Sequence, residues 1–166
     1  MGLLIAVTSD THHGDKTSNL PSLLLKELEK RKPDLILHAG DVTSPELLER
    51  LEEFAPTIAV RGNADHLRLP EEEVVEAGDV RIGLLHGHQF FSLNAQFLTL
   101  KALDMGVDVL IFGHTHRFYQ DTYSIHGRRV VLINPGSPTF PRMDSPGFAL
   151  LRLDGESVRV ERITFW

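Results

Sequence analysis

Residues 2–15 read GLLIAVTSDTHHGD, and this stretch introduces a pattern that the rest of the chain repeats. The apolar, partly β-branched run over residues 2–8 predicts a buried strand. Asp10 and His12 follow the predicted strand at once, and both side chains are good ligands for divalent metal ions. Taken alone, Asp10 is better explained as a turn-forming residue than as a ligand, so the interpretation depends on how the other strands end.

Four further apolar runs also lead into carboxylate, amide or imidazole groups. In chain order these groups are Asp41; Asn63 and Asp65; His86 and His88; and His114 and His116. The carboxyl ends of parallel strands in an α/β sheet share one edge, where ligands bind. The sequence therefore predicts that five loops bring these side chains together. The glycines beside them are expected to allow tight turns after the strands; they are Gly40, Gly62, Gly87 and Gly113.

The order of predicted elements indicates an α/β fold. Helical patterns cover residues 20–31, 45–53 and 93–105, and the second of these helices begins with Ser44 as N-cap followed by Pro45. A short strand is predicted at 73–76. Beyond residue 117 the pattern changes to four strand segments, with tight turns at residues 126–127 and 154–155. We expect one domain over residues 1–166, with two facing sheets and helices outside them.

Composition narrows the classes of function. The chain has 166 residues, no Cys and a net charge of −6, and its basic residues form no long run. The absence of Cys excludes disulfides and thiolate metal sites. The negative charge and the lack of a basic run argue against a broad nucleic-acid-binding face. No apolar run is long enough to span a bilayer, and the N-terminus lacks the basic start of a signal peptide, so we expect no membrane partner and a cytoplasmic location.

The predicted group of donors favours a pair of metal ions. Carboxylates and imidazoles together suit Mn, Fe, Ni or Zn, and manganese is the leading expectation, with Mg as a further alternative. The donors are too many for one ion, one Asp is available as a bridge, and Asn adds a neutral oxygen. Two ions close together are a common device for displacement at phosphorus. With two carboxylates and a hydroxide, the pair keeps a residual positive charge that attracts a phosphodiester monoanion.

These motifs resemble those of the calcineurin-like metallophosphoesterase superfamily. The matching pieces are DTH at 10–12, GD at 40–41, GNAD at 62–65, HGH at 86–88 and GHTH at 113–116. The short chain and INPGSP at 133–138 resemble the small prokaryotic phosphodiesterases of that superfamily. The resemblance implies a four-layer α-β-β-α sandwich of two mixed sheets, with a dinuclear metal site at the C-terminal edge of the strands.

The resemblance also implies a role for each donor. Asp10, His12 and His116 would hold the first ion, and Asn63, His86 and His114 the second, with Asp41 bridging them. The two imidazoles of GHTH would bind different ions, and we expect a period-two alternation of the loop to separate them. A hydroxide bridging the ions would attack phosphorus in line with the leaving alkoxide.

Other residues near the motifs have less certain roles. Asp65 is expected to orient a ligand or a water. Many relatives carry His directly after Gly-Asn, where it helps to protonate the leaving group, but this chain has Ala64. His66 and His88 are the nearby candidates for that task, and His88 is included with Asp41, Asn63 and Asp65 among the catalytic residues. Three arginines are candidates for phosphate contact, although each is more simply a surface residue: Arg61, Arg117 and Arg142.

Several histidines and polar residues receive no catalytic role. His13, Asp15 and His126 are left unassigned, and His38 lies within a strand as a core or supporting residue. Residues 134–137 are expected to form a structural loop near the site. The acidic run at 69–79 predicts a solvated face.

The leading hypothesis is a metal-dependent phosphodiesterase acting on a small or nucleotide-like diester. A second hypothesis is a non-catalytic scaffold, because a eukaryotic cargo-sorting subunit of similar fold acts through protein contacts with a degraded metal site. A third is phosphomonoester or pyrophosphate hydrolysis, which would need extra positive groups in the pocket. The oligomeric state stays open: the aromatics of RITFW at 162–166 either pack into the sheet or serve the homodimer that small family members suggest.

Overall fold

The computed structural model describes residues 2–166 and contains three helices and ten strands in this range. The helices are α1 (Ser22–Arg31), α2 (Pro45–Glu52) and α3 (Ala95–Met105). The strands are β1 (Leu3–Thr8), β2 (Leu35–His38), β3 (Thr57–Ala59), β4 (Glu72–Ala77), β5 (Val80–Leu85), β6 (Val109–Ile111), β7 (Phe118–Ile125), β8 (Arg128–Pro135), β9 (Gly147–Asp154) and β10 (Ser157–Thr164). None of the helices within residues 2–166 is both long enough and apolar enough to cross a membrane.

The helix boundaries follow local chemistry. The Ser44 side chain accepts a hydrogen bond from the Leu47 N–H and Pro45 opens α2, as the sequence predicts. In α1, Pro21 is the N-cap rather than a residue of the first turn, so the helix begins at Ser22. Lys32 ends α1 in the left-handed conformation, and its N–H bonds to the Leu28 carbonyl.

The strands form two mixed sheets of five strands each. The first sheet has the order β10-β9-β1-β2-β3, in which β1, β2 and β3 are parallel and β9 and β10 are antiparallel additions. The second has the order β4-β5-β6-β8-β7, in which β5, β6 and β8 are parallel and β4 and β7 are antiparallel edge strands. The prediction of two mixed sheets is confirmed.

Three apolar clusters hold the layers together. The central cluster joins the sheets through residues such as Ile5 and Leu37 of the first and Ile82 and Ile133 of the second. A second cluster packs α1 and α2 on the outer face of the first sheet. A third packs α3 on the outer face of the second sheet. The helix–sheet–sheet–helix order confirms the predicted four-layer sandwich.

The hairpins and the C-terminal residues show small differences from expectation. His126 and Gly127 form the β7–β8 turn with positive φ at both positions, as predicted, while the β9–β10 turn occupies residues 155–156, one residue later than expected. Phe165 packs on the Phe148 ring with centroids 6.1 Å apart, whereas Trp166 is exposed. Of the two terminal aromatic residues, Phe165 therefore packs into the fold, while the exposed Trp166 leaves the oligomeric state open.

Candidate metal centre

The predicted donors meet where strands of both sheets end. Loops after β1, β2 and β3 come from the first sheet, and loops after β5 and β6 come from the second. Backbone hydrogen bonds join these loops: the Asp10 N–H bonds to the Gly40 carbonyl at 2.9 Å, and the Gly113 N–H bonds to the His86 carbonyl at 3.1 Å. The donors therefore lie on loops that support one another across the two sheets.

Asp10 has one anchored oxygen and one free oxygen. Its Oδ2 accepts hydrogen bonds from the Ser9 hydroxyl at 2.7 Å and the His114 N–H at 3.1 Å. Its Oδ1 is buried and has no hydrogen-bond partner among the described residues. This Oδ1 lies 3.3 Å from the Nε2 of His116 and 3.7 Å from the Nε2 of His86.

Asp41 is arranged in the same way and lies between two histidines. Its Oδ1 accepts the Ala64 N–H at 2.8 Å. Its Oδ2 lies 3.4 Å from the Nε2 of His12 and 3.3 Å from the Nε2 of His86. A single oxygen thus faces donors that the sequence assigns to different ions, which is the position that a bridging ligand occupies.

Three histidines present Nε2 to the centre because Nδ1 is already engaged. The Nδ1 of His86 lies 2.7 Å from the Ala39 carbonyl, and the Nδ1 of His116 lies 2.7 Å from the Phe140 carbonyl. The Nδ1 of His12 instead contacts the Asp15 carboxylate at 3.0 Å. In a neutral imidazole, a carbonyl or carboxylate acceptor places the single ring proton on Nδ1, which leaves the Nε2 lone pair free to bind a metal ion.

The remaining predicted donors line the solvent side. The Oδ1 of Asn63, an exposed residue, lies 3.1 Å from the Nε2 of His86. The His114 ring lies 5.2 Å from the His86 ring, while the His116 ring lies 5.2 Å from the His12 ring. The two imidazoles of GHTH are therefore directed to opposite sides of the centre.

The backbone achieves this separation through left-handed residues, and the expected period-two alternation is wrong. Within residues 2–166, nine non-glycine residues have positive φ, and five of them are predicted donors. Their φ values are 54° for Asp10, 48° for His12, 58° for Asp41, 72° for His114 and 60° for His116. Each such residue costs roughly 1–2 kcal/mol, and such strain concentrates at functional sites.

Burial and charge shift the protonation of the cluster. Burial alone would raise the pKa of Asp10 and Asp41, but hydrogen bonds and charge from neighbouring imidazoles lower it in both. Burial alone would lower the pKa of His86, but the two carboxylates raise it. Burial, together with the nearby His86, lowers the pKa of His88 and His114. The two carboxylates therefore make His86 easier to protonate.

Comparison with known proteins agrees with the geometry. The profile of the calcineurin-like phosphoesterase superfamily domain matches residues 3–156. The chain belongs to this superfamily. A "Probable metallophosphoesterase" from Methanothermobacter thermautotrophicus is 41% identical over 165 residues, which cover 97% of this chain and 92% of that protein. Another from Methanocaldococcus jannaschii is 44% identical over 141 residues, or 84% of this chain and 70% of that protein.

The fold is also similar to that of Vps29. The crystal structure of wild-type Vps29 complexed with Zn²⁺ from Entamoeba histolytica matches with a TM-score of 0.80 and 28% sequence identity. The match covers 98% of this chain and 99% of that chain. The superfamily fold therefore extends over the whole described structure.

The centre fits the metal that the superfamily implies. The donor atoms of Asp10, His12, Asp41 and His116 all lie within 4.8 Å of one another. The Nε2 of His12, like the Oδ1 of Asp10, is buried and lacks a hydrogen-bond partner among residues 2–166. Donors bound to one ion at about 2.1 Å lie roughly 3.0–3.4 Å apart, close to the separations seen here. A cation would satisfy both buried atoms at once.

Asp65 supports the superfamily's donor loops through their backbone. Its Oδ2 accepts the N–H groups of Asp41 at 2.9 Å and Gly62 at 2.8 Å, and its Oδ1 accepts the Thr43 N–H at 2.7 Å. With both oxygens engaged in this way, Asp65 holds the Asp41 loop in place. The expectation that Asp65 orients a ligand stays a prediction, and these contacts show that it would act through the backbone of the Asp41 loop.

Two further predictions about supporting residues are met by hydrogen bonds. Buried His38 accepts the Gly40 N–H at Nδ1 (3.1 Å), so its Nε2 carries the proton and donates to the Thr11 hydroxyl at 3.0 Å. Burial lowers the pKa of His38 to about 4. Of residues 134–137, Asn134 and Pro135 belong to the end of β8 rather than to a loop, but their contacts are structural as expected: Asn134 donates to the Gly113 carbonyl, and the Ser137 hydroxyl donates to the Asp10 carbonyl.

Two of the glycines are needed because neighbouring atoms lie too close to leave room for a side chain, rather than because they form a turn. A Cβ on Gly62 would overlap the Asp41 carboxylate and backbone N. A Cβ on Gly113 would overlap the Ser9 hydroxyl and crowd the Asp10 carboxylate. Neither glycine has positive φ, so each is needed for space beside a donor.

Sequence reasoning missed the contact between Asp15 and His12. Asp15 was left without a role, yet its carboxylate is the acceptor for His12 Nδ1. Burial alone would raise the pKa of Asp15, but the hydrogen bond with His12 lowers it. The His-x-x-Asp spacing around Gly14 was the available signal, since a tight turn brings such residues together.

Proposed function

We propose that this protein is a divalent-metal-dependent phosphodiesterase. The observation that supports the proposal most directly is the convergence of metal-type donor atoms, two of which, the Oδ1 of Asp10 and the Nε2 of His12, are buried without a hydrogen-bond partner among residues 2–166. The Oδ2 of Asp41 lies 3.4 Å from that His12 Nε2, and the Nε2 of His116 lies 3.3 Å from that Asp10 Oδ1. Two bound ions would supply Lewis acidity and an activated water for displacement at phosphorus.

The chain's own residues then divide the work. Asp10, His12 and His116 are proposed to hold the first ion, and Asn63, His86 and His114 the second. Asp41 would hold both ions, because its Oδ2 faces His12 and His86 at nearly equal distances. Asp65 keeps the Asp41 loop in position through the backbone N–H groups that it accepts.

His88 is the proposed group nearest to the departing substrate fragment. The centroid of its ring lies 5.4 Å from that of His86 and 6.5 Å from that of His114, and the residue is half-buried. Ala64 offers no proton donor, and His66 is exposed beside a surface pocket that Arg61 and Arg68 also line. His88 can therefore donate a hydrogen bond to a substrate oxygen where Ala64 cannot.

Charge favours a diester over a monoester. Two divalent ions with Asp10, Asp41 and one hydroxide keep a single positive charge, which matches a phosphodiester monoanion. A dianionic monoester would need a further cation, and the Nη1 of Arg61 lies 3.0 Å from Glu71, which partly neutralises it. The proposed substrate is accordingly a small or nucleotide-like diester.

A scaffold role is the second candidate, and the similarity to Vps29 supports it. A scaffold of this fold does not require a complete donor set, whereas all seven donors are present here and converge. We also keep manganese as the leading metal and a cytoplasmic location as proposals, with no stable nucleic-acid or membrane partner and a homodimer left open.

The deciding experiment combines metal analysis with an ester panel. The purified protein is loaded in turn with Mn²⁺, Ni²⁺, Mg²⁺ and Zn²⁺, and its bound metal is measured by mass spectrometry. Hydrolysis of bis(p-nitrophenyl) phosphate is then compared with that of p-nitrophenyl phosphate. We expect about two ions per chain and faster turnover of the diester. Metal binding without turnover of either ester would favour the scaffold.

A further inference from the structure

The three histidines that point Nε2 at the centre differ in what holds their other nitrogen. His86 and His116 each contact a backbone carbonyl, which is neutral. His12 contacts the Asp15 carboxylate, which carries a full negative charge when ionised. A charged acceptor orients an imidazole as a carbonyl does and also makes its free nitrogen a stronger ligand.

We infer that Asp15 is a positioning residue for the first metal ion. It holds His12 in the Nδ1–H form with Nε2 facing Asp41, and it raises the affinity of the buried donors for their ion. The inference rests on the proposed metal centre but concerns a residue outside the donor set. It predicts that the Asp15 carboxylate strengthens binding of the first ion without coordinating it.

The local geometry supports a role in orientation. The His12 side chain is 5% exposed and that of Asp15 is 37% exposed, so Asp15 reaches the buried ring from the surface. Gly14 and the hydrogen bond from the Lys16 N–H to the His12 carbonyl close the turn that joins them. His12 lies in the loop after β1 and has left-handed backbone.

A competing explanation is that Asp15 only forms the turn. Asp15→Asn separates the two, because Asn forms such turns as well as Asp does and keeps an acceptor oxygen while losing the charge. Asp15→Ala removes the acceptor altogether. Asp79→Asn, in the exposed β4–β5 turn, makes the same change in net charge away from the centre and is the matched control.

Metal affinity is the first readout. Zn²⁺ or Mn²⁺ alone is titrated against a competing chelator, and the tighter of the two binding steps is compared between variants. We expect Asp15→Ala to weaken that step about 10- to 100-fold, Asp15→Asn to weaken it less, and Asp79→Asn to leave it unchanged. Equal affinity in wild type and Asp15→Ala would overturn the inference while leaving the phosphodiesterase proposal intact.

The tautomer of His12 is the second readout, and it needs no metal. Long-range ¹H–¹⁵N spectra of the metal-free protein should show His12 protonated at Nδ1 in wild type and in Asp79→Asn. Asp15→Ala should show a mixture of Nδ1–H and Nε2–H forms. An unchanged tautomer would contradict the positioning role. If the wild-type protein binds no ion, Asp15 cannot affect metal affinity, and the proposed function is contradicted as well.

Discussion

The donor cluster has a buried half and an open half that differ in charge as well as in exposure. The buried half consists of Asp10, His12, Asp41 and His116, none of which is more than 4% exposed. The open half consists of Asn63, His86 and His114; Asn63 and His114 reach solvent, while His86 is itself fully buried. Both carboxylates lie in the buried half, whereas the open half contributes one amide and two imidazoles.

This difference suggests a division of labour. Ionised carboxylates that are buried without a cation are costly, so an ion would stabilise the buried half. The open half has no such requirement and faces the side from which substrate enters. We therefore expect a tightly held first ion and a more readily exchanged second ion, with Asp41 coupling the two.

The largest effect is expected for Asp41→Asn, because it removes the oxygen shared by both halves. The amide keeps an acceptor for the Ala64 N–H, so the fold should survive. Bound metal should fall below one ion per chain, and diester turnover should fall by about a thousandfold, the upper end for loss of one stabilising group. Mass spectrometry and the diester assay provide the two measurements, with Asp79→Asn as control. Full activity of Asp41→Asn with excess metal would contradict the proposal that Asp41 couples the two halves.

The next largest effect is a pH dependence of stability that arises from His38, which supports the loops of the buried half. His38 has an ordinary pKa of 6.5 when unfolded and about 4 when folded, so the unfolded chain binds the extra proton between these values. The stabilisation is complete above pH 6.5 and is lost as pH falls toward 4. The loss amounts to about 3 kcal/mol in the free energy of unfolding.

Denaturant unfolding of the metal-free protein at several pH values tests this. Wild type should lose about 3 kcal/mol more than His38→Gln between pH 7 and pH 4, because the amide does not titrate. Parallel pH profiles for the two proteins would show that His38 is protonated in the folded state and that the buried half does not depend on its neutral form.

Sequence reasoning succeeded where the signal is local. Apolar runs followed by polar groups located β1, β2, β3, β5 and β6, because each strand and the polar group after it are adjacent in the chain. The polar side chains predicted as donors meet in space, while their role as metal ligands stays a prediction. Hairpin turns were placed to within one residue for the same reason. Periodicity and turn chemistry act over a few residues, and so did these predictions.

The features that were missed arise from contacts between distant segments. The left-handed backbone of His114 accompanies a hydrogen bond from its N–H to Asp10, 104 residues earlier. Asp65 binds the backbone of Asp41 across 24 residues, which its neighbours in sequence do not reveal. Gly113 lacks a side chain because Ser9 and Asp10 occupy the space. Such constraints appear only once the two sheets are packed.

A smaller effect separates the halves directly. His114→Ala removes a donor from the open half only, and His116→Ala removes one from the buried half. Each should lower diester turnover by about a hundredfold. Their metal contents should differ, because His114→Ala should retain about one tightly bound ion whereas His116→Ala should lose the tighter step. Identical metal content in the two variants would contradict the asymmetry.

The smallest expected effect concerns the strain that both halves share. In metal-free protein, His114→Gly should be more stable than His114→Ala by about 1 kcal/mol, because glycine adopts the left-handed backbone without steric cost. The pair Lys32→Gly and Lys32→Ala gives the reference, since Lys32 is left-handed at the end of α1 and far from the donors in the fold. Unfolding in denaturant measures all four variants. If the glycine advantage appears at Lys32 but not at His114, the donor loop relaxes when metal is absent. The left-handed geometry of the open half would then be a product of metal binding, whereas an equal advantage at both positions means that the chain holds its donors in place before any ion arrives.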